Sequence, residues 1–229
     1  MRAVASVAVV LDRPTLRSLV VETNDGIIAT AGVVEGFAGA GAHGVSLVVA
    51  ATVAMIAGGI ALASARYAEE AAERDARLQV IAEERVQLQL SPDQEFAELV
   101  TLYEAKGLSP ALARQVAAEL TARDPLAAHV DAEHRLPLRR ARWAPAIIAT
   151  AAGISYALGS AIPLLSILLT PDQWRARVTF AAAVVSLSLT SVFLARMGVA
   201  DVRRALTRTI AVGAIAMLLS FAAGRLLHH

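Results

Sequence analysis

The sequence predicts an all-α membrane protein with five transmembrane helices and a charged helical insert between the second and third. Of its 229 residues, 56% are hydrophobic and only 18% are charged, and the mean hydropathy is +0.56. Soluble domains are nearer to about 45–50% apolar and about 25% charged residues. Long apolar runs also recur along the chain and are interrupted by one long charged region. Together these observations predict a multi-pass protein in which one connection is a helical domain.

Four stretches are apolar enough and long enough to cross a bilayer, which takes roughly 20 residues in a helix. They are 44–65, 143–171, 178–195 and 209–227. The second predicted span, 44–65, continues without a proline into a region in which about half of the residues from Arg66 to Arg85 are charged. We predict that one helix runs from about Gly44 to Leu90.

The first predicted span, 17–42, has a weaker signal because it contains several polar residues, among them Glu22, Asp25 and Glu35. A carboxylate near the bilayer centre costs about 2.5–3.5 kcal/mol on insertion scales. Gly32 and Gly36 nevertheless have the small-residue spacing of packed transmembrane helices. The span at 44–65 also needs a helix that brings the chain across first. We therefore predict five spans.

The insert reads as a series of short helices. Ser91-Pro92 and Ser109-Pro110 each place an N-cap residue before a proline at the first helical position. A further short helix is predicted from Pro125 to about His134. The expected domains are 1–66 with the first two spans, 67–136 as the helical insert, and 137–229 with the last three spans.

Arginines near the span ends predict the orientation, because cytoplasmic loops carry an excess of positive charge. With the N-terminus and residues 67–136 in the cytoplasm, ten arginines lie on the inner side and three (Arg175, Arg177 and Arg225) on the outer side. The ten are Arg13, Arg17, Arg66, Arg74, Arg139, Arg140, Arg142, Arg196, Arg203 and Arg204. The abundance of Ala and Arg favours a bacterial chain and hence the bacterial cell membrane.

Composition also argues against several functions. The chain has no cysteine, which excludes thiolate metal sites, and its net charge of +1 does not suggest a nucleic-acid partner. No zinc-protease motif, phosphate-binding loop or nucleophile triad is present. The protein is therefore not expected to be an enzyme or to carry a cofactor.

A stripe of oxygen ligands is predicted on the charged half of the second helix. At about 100° per residue, Glu70, Glu73, Glu84 and Gln87 fall on one side. Neighbouring helices could add Glu95, Glu98, Glu119, His129 and Glu133. Such clusters suit hard or borderline divalent cations. The alternative is an ordinary solvated face whose acids pair with nearby arginines, and the pattern alone favours that alternative.

Asp25 and Glu35 are the sharper signal, because acids inside a membrane usually mark an ion or proton route. They are ten residues apart, about 15 Å along a helix at 1.5 Å per residue, and about 80° apart in azimuth. They could border one pore or interface. The alternative is that Asp25 lies at the membrane edge as a helix-end residue and that Glu35 faces lipid or a partner helix without a function.

Several strings in the chain resemble those of the vacuolar iron transporter family over about residues 16–227. The matching strings are Asn24-Asp25-Gly26-Ile27, Tyr103-Glu104-Ala105-Lys106-Gly107-Leu108-Ser109, Asp124-Pro125-Leu126-Ala127-Ala128-His129 and Tyr156-Ala157-Leu158-Gly159-Ser160-Ala161-Ile162-Pro163. The resemblance implies a dimeric five-span carrier that moves Fe²⁺ or Mn²⁺ out of the cytoplasm by proton exchange.

The resemblance also implies roles for individual residues. Asp25 matches an aspartate on the metal path, and Glu73, Glu84 and Glu133 match glutamates that gather metal on the cytoplasmic helices. Two further glutamate positions hold Ala76 and Gln87 here, and a methionine position holds His129.

The second span departs from the family pattern. An expected glutamate and methionine are replaced by Ala54 and Leu62, and the expected Gly-Glu-Tyr at its exit reads Ala65-Arg66-Tyr67. One hypothesis is that Glu35 compensates for the missing acid. The alternative is a membrane-anchored metal-binding or sensing protein that does not transport.

Overall fold

A computed structural model of the protein describes residues 13–138, 141–196 and 201–227, and all regular structure in these ranges is helical. The helices are α1 (Arg13–Gly39), α2 (Val45–Leu90), α3 (Pro92–Ala105), α4 (Pro110–Arg123), α5 (Pro125–His129), α6 (Ala144–Leu169), α7 (Arg175–Arg196) and α8 (Val202–Leu227). A π-helical turn, Val130–His134, follows α5, and a 3₁₀ turn, Asp172–Trp174, precedes α7. The all-α prediction is confirmed. Arg139 and Arg140, which entered the orientation count, lie outside the described residues.

The described residues form two compact units. The first unit contains the residues up to Ala68 and those from Pro145 onward, and the second unit is Glu69–Ala144. Helix α2 is continuous over 46 residues and belongs to both, as predicted from the lack of a break between its apolar and charged halves.

Four helices are long and apolar enough to cross a membrane: α2, α6, α7 with the turn before it, and α8. They correspond to the predicted second to fifth spans, so the protein is an integral, multi-pass membrane protein. Helix α1 has 27 residues, which is enough to span, but its acids keep it out of this group. The five-span count therefore stays a prediction.

Helix α1 lies in the middle of the first unit. On one side Ile27 and Ala31 pack with Leu187 of α7 and Met217 of α8. Further along α1, a second apolar cluster joins it to α2 and α6 through Val34, Leu47, Ala51 and Ile167. The helix with the most acids among the predicted spans thus packs against all four apolar ones, while part of its surface stays exposed.

Glycines allow this close packing. A Cβ at Gly26 would collide with the carbonyl of Tyr156 on α6, and a Cβ at Gly159 of α6 would collide with the carbonyl of Thr23. On the α8 side, Gly224 meets the carbonyl of Gly36 in the same way. The backbone of α1 at Gly36 therefore lies close to α8 because α8 has a glycine at that point.

The second unit begins its helices where the sequence indicates. Ser91 and Ser109 occupy N-cap positions before Pro92 and Pro110, although neither serine side chain makes a capping hydrogen bond. Gly107 ends the α3 segment with a φ of +98°. A small apolar core holds α3, α4, α5 and the π turn together through Leu99, Ala117, Ala128 and Ala132.

Candidate metal centre

Three ligand-bearing side chains meet in the second unit. His129 Nδ1 lies 3.1 Å from Glu84 Oε1 and 3.6 Å from Glu95 Oε2. All three residues are buried, with His129 only 1% exposed. Their ligand atoms lie within 4.8 Å of one another, which is close enough for one metal ion to bind all three.

Several ligand atoms of this cluster have no hydrogen-bond partner in the described part of the protein. Among the described residues, neither nitrogen of His129 has a hydrogen-bond partner, and neither does Oε1 of Glu84. The 3.1 Å contact between them is short enough for a hydrogen bond but is not aligned as one. Leaving a buried polar group unpaired costs about 1–3 kcal/mol. Ligand atoms that converge without bonding to each other are what a metal site requires.

Local structure places His129 in the cluster. Asp124 caps α5 by accepting a hydrogen bond from the amide of Ala127 at 3.0 Å, so that His129 is the last residue of a five-residue helix. Ala128 and Ala132 on either side pack into the core of the second unit. Lys106 Nζ donates a hydrogen bond to the carbonyl of Ala132 at 3.3 Å, which ties the π turn to the end of α3.

The π turn brings a second group of ligands to the same carboxylate. Glu133 and His134 lie in this turn, and their side chains together with Glu84 again place their ligand atoms within 4.8 Å of one another. Glu133 Oε2 and His134 Nε2 are 3.7 Å apart, and both side chains are about a third exposed. Turns of this kind are frequent at functional sites. Glu84 is common to the buried and the exposed group.

Electrostatics at Glu84 favour a bound cation. Burial raises the pKa of the Glu84 carboxyl; His129 and His134 oppose this rise, and Glu133 and Glu95 add to it. A carboxylate in this position holds its proton more tightly than an exposed glutamate. A divalent ion would neutralise the acids and compete with protons for the Glu84 carboxylate.

The predicted cytoplasmic ligands separate into two sets. Glu84, His129 and Glu133 belong to the two groups, as does Glu95, which was considered as an addition. Glu70, Glu73 and Gln87 belong to neither group, nor do Glu98 and Glu119. Glu73 and Gln87 are exposed and Glu70 is half-buried. His134 was missed, because a histidine beside an exposed loop carries no distinctive pattern.

The two acids predicted inside the membrane part have different surroundings. Asp25 is exposed on the surface of α1, whereas Glu35 is 5% exposed and lies in a cavity between α1, α7 and α8. The side chains at Ala54 and Leu62 of α2 offer no metal ligand.

Another buried acid of α1 is paired. Glu22, 1% exposed, accepts hydrogen bonds at Oε1 from Arg66 Nε at 2.7 Å and from Ser18 Oγ at 3.2 Å. Arg66 Nη2 is 2.5 Å from the same oxygen. Two residues further along α1, Asn24 Oδ1 accepts a hydrogen bond from Thr190 Oγ1 at 2.5 Å. Sequence reasoning missed the Glu22–Arg66 pair, although Arg66 stands where the family resemblance expects a glutamate.

The similarity of this chain to known proteins extends over both units. The model of the VIT family matches residues 16–225, which include the buried cluster and most of α1 and α8. The chain belongs to the VIT family. A curated protein named vacuolar iron transporter, from Acanthamoeba castellanii, is 28% identical over 212 residues, which is 91% of this chain and 77% of that protein. Membership of the VIT family confirms the resemblance, and it points to a transporter rather than an enzyme.

Proposed function

We propose that this VIT-family protein transports Fe²⁺ or Mn²⁺ out of the cytoplasm. The observation that carries the proposal is the buried group of Glu84, Glu95 and His129, whose ligand atoms converge without hydrogen bonds between them. Carboxylate and imidazole ligands suit both ions. The name of the relative from Acanthamoeba castellanii supports iron as one substrate.

In this proposal the second unit collects the metal. Glu84, Glu95 and His129 bind the ion, and Glu133 with His134 supplies a more exposed group through which it enters or leaves. Metal competes with protons for the Glu84 carboxylate, because a ligating carboxylate must be ionised. The cytoplasmic location of residues 67–136 is part of the proposal and rests on the arginine count.

The ion then passes Asp25 of α1, and protons move in the opposite direction. Asp25 is suited to this role because it is exposed on the single chain, where lipid would be a poor environment for a carboxylate. A second copy of the chain over this face would shield Asp25, which supports the expected homodimer.

Five spans remain our proposed topology. Helix α1 is less apolar than the other predicted spans because of its acids, but two of its buried polar residues have partners inside the first unit. Arg66 neutralises Glu22, and Thr190 binds Asn24. Surrounding helices rather than lipid therefore meet these groups, which removes much of the cost of placing α1 in a membrane.

Metal flux into proteoliposomes tests the proposal directly. Purified protein is reconstituted, and uptake of Fe²⁺, Mn²⁺ and Zn²⁺ is compared side by side with and without a proton gradient. We expect Fe²⁺ or Mn²⁺ flux that Asp25→Asn abolishes. Cells that express the protein should tolerate excess iron or manganese better and hold less of it. Absent flux together with unchanged cellular metal content would refute export.

The alternative function is a membrane-anchored metal sensor that does not transport. It is favoured by Ala54 and Leu62, which replace the glutamate and methionine expected in the second span. Metal binding to the reconstituted full chain without flux of any of the three ions would establish this alternative. Failure to bind Fe²⁺ or Mn²⁺ at all would instead favour an adaptor whose helices bind another protein.

A further inference from the structure

Glu35 lies in a cavity that is separate from the groups described so far. The cavity has a volume of about 450 Å³ and is lined by α1, the turn before α7, α7 and α8. Asp25 is not among the lining residues, so the two acids of α1 do not share one cavity. Gln173 and Arg177 line it together with Glu35, and both are exposed. The cavity therefore connects a buried carboxyl group to the surface of the protein.

One oxygen of Glu35 has no partner in the described part of the chain. The residue is only 5% exposed, and its Oε1 makes no hydrogen bond there. Glu22 and Asn24 on the same helix are both paired, so the unpaired oxygen of Glu35 contrasts with its neighbours on α1. A carboxylate without a partner is far more costly to bury than a neutral carboxyl group. A bound proton would remove that cost.

The wall of the cavity does not fit a metal ion. Divalent cations are held by several ligands, whereas Glu35 is the one acidic side chain among the described residues that line the cavity. Met217 packs in the core with Ile27 and Leu187, and Arg177 contributes a positive charge that opposes a bound cation. A single buried carboxyl group in a largely apolar wall instead suits a proton, which needs only one acceptor.

The arginines near the cavity have partners other than Glu35. The guanidinium of Arg177 lies 5.2 Å from the centroid of the Trp174 ring. Arg175 forms an ion pair with Asp172 and donates a hydrogen bond to the carbonyl of Gly44 at 3.2 Å. Burial and contact with water in the cavity, rather than a bound counter-ion, therefore decide whether Glu35 carries a proton.

The other helices packed around α1 bring no further charge to the level of Glu35. No Asp, Glu, Lys, Arg or His occurs in the apolar stretches 45–65, 144–169, 178–195 and 209–224. Arg225 is exposed one turn beyond the cavity-lining Phe221 of α8. The hydroxyl of Tyr156 on α6 lies against Gly58 of α2 and does not line the cavity.

The position of the cavity suits exchange with the outer solution. Glu35 is four residues from the end of α1 at Gly39, and Gln173 lies in the turn before α7. Both are on the outer side in the proposed five-span topology. Asp25 is ten residues earlier on α1, about 15 Å closer to the cytoplasmic end. A proton from outside and a metal ion from the cytoplasm would thus meet different acids of the same helix.

We propose that Glu35 is the proton-binding residue of the carrier and takes up its proton from the outer side through this cavity. One proton adds to the carboxylate and leaves it again in each transport cycle, without any change of oxidation state. The inference rests on the proposed function and deepens it, because it assigns the proton half of the exchange to a residue that does not bind metal. It replaces the hypothesis that Glu35 compensates for an acid missing from α2.

Infrared spectroscopy of the full chain in detergent, without metal, tests proton binding without requiring transport. A protonated carboxyl group has a carbonyl stretching band that a carboxylate lacks. At about pH 6, where exposed glutamates are ionised, Glu35→Gln and Glu35→Leu should each lower this band by one carboxyl group. Glu98→Gln, which changes an exposed glutamate of α3, is the matched control and should leave the band unchanged.

Leu suits the apolar wall, so a folded variant without the carboxyl group is available even if Gln is not tolerated. An unchanged band in either folded variant would overturn the inference. Both variants should bind Mn²⁺ within about twofold of the native affinity at the same pH, because Glu35 is not a metal ligand. Loss of one bound Mn²⁺ per chain would identify Glu35 as a ligand and would also overturn the inference.

Transport measurements test the coupling. In proteoliposomes, an inwardly directed proton gradient should accelerate metal efflux by the native chain and by Glu98→Gln. Glu35→Gln should carry metal without this acceleration. Glu35→Asp keeps a carboxyl group and should keep the acceleration, which a purely structural role of Glu35 would not predict.

The two readouts separate this inference from the proposed function. Metal flux that the proton gradient accelerates equally in the native and Glu35→Gln proteins refutes the role of Glu35 and leaves the carrier function intact. No metal flux in the native chain, with the infrared band reduced in Glu35→Gln, refutes the carrier function and leaves Glu35 as a proton-binding group.

Discussion

His129 shows how much depends on a single side chain in the second unit. It is 1% exposed, both of its ring nitrogens lack hydrogen bonds in the described structure, and it faces two carboxylates within 3.6 Å. A buried imidazole without a partner is unusual unless it serves as a ligand or a titrating group. Glu84 Oε1 lies 3.1 Å from His129 Nδ1. Glu84 also belongs to the more exposed group that contains Glu133 and His134 of the π turn.

Removal of a cluster ligand should abolish tight metal binding. We expect His129→Ala and Glu84→Gln each to weaken Mn²⁺ or Fe²⁺ binding at least about tenfold. Equilibrium dialysis of the full chain in detergent measures the change. Glu98→Gln is the matched control, because Glu98 lies on α3 near Glu95 but is exposed and outside both groups. Equal losses in the control and the ligand variants would contradict the site.

The raised pKa of Glu84 predicts how stability depends on pH. Because the folded state holds this proton more tightly than the unfolded chain, metal-free protein loses stability as pH rises from the ordinary range of glutamate through the raised pKa. A tenfold difference in proton affinity between the two states corresponds to roughly 1.4 kcal/mol. Without metal, Glu84→Gln should therefore be at least as stable as the native chain at pH 8.

Thermal unfolding at pH 8 checks this, with EDTA or with Mn²⁺ added. Mn²⁺ should raise the Tm of the native chain and have little effect on Glu84→Gln, since bound metal stabilises only the protein that binds it. A Glu84→Gln protein with a clearly lower Tm than native in EDTA would argue that Glu84 is a structural group.

Among the helices, α1 shows most clearly how packing against neighbouring helices can accommodate acidic residues that a membrane span would otherwise disfavour. It carries Glu22, Asp25 and Glu35, which make it the most acidic of the predicted spans. Yet α7 and α8 pack on one side of it, and α2 and α6 join it further along. Glu22 is neutralised by Arg66 of α2, a partner 44 residues away in the chain. Burying such a pair costs desolvation, so losing either partner is more damaging than losing both.

Close helix packing predicts a contrast between two glycines at the interface of α1 and α8. A Cβ at Gly224 would collide with the backbone of α1, whereas a Cβ at Gly32 would lie 3.4 Å from the side chain of Ser220, an ordinary contact. Gly224→Ala should therefore destabilise the protein by about 1–3 kcal/mol, as overpacking does. Gly32→Ala should be close to neutral. The Tm values of the two variants in detergent measure this difference. Equal Tm values for Gly224→Ala and Gly32→Ala would refute the close approach of α8 to α1 at Gly224.

For the whole molecule, topology is the property that most needs a test. Five spans place the N-terminal end of α1 and the second unit on the same side of the membrane, whereas four spans without α1 place them on opposite sides. The family resemblance implies five spans, whereas four helices of the described residues are long and apolar enough to cross a membrane.

The chain has no cysteine, so single introduced cysteines report sidedness cleanly. A membrane-impermeant maleimide labels only outward-facing cysteines in intact vesicles and cysteines on both sides in opened vesicles. We expect Thr15→Cys and Gly107→Cys to show the same pattern of labelling, because both residues lie on one side of the membrane. Gln173→Cys, in the turn before α7, should react from the opposite side and serves as the control. Reaction of Thr15→Cys and Gly107→Cys from opposite sides would establish that α1 does not span.

Local and periodic features could be predicted from the sequence alone. The four apolar spans, the unbroken helix α2 and the helix starts at Pro92, Pro110 and Pro125 all depend on hydrophobicity or on proline geometry within a few residues. The family followed from short strings at defined positions. Each of these signals lies in one segment of the chain, so no long-range contact is needed to read it.

Which ligands meet was decided only by the tertiary structure. Glu73 and Glu84 share an azimuth on α2, but eleven residues separate them by about 16 Å along the axis, too far for one ion. Glu84 instead meets Glu95 and His129, which lie on other helices and are brought together by the packing of Leu99, Ala128 and Ala132. The separate cavity of Glu35 and the Glu22–Arg66 pair have the same origin, because the contacts that create them join residues far apart in the chain.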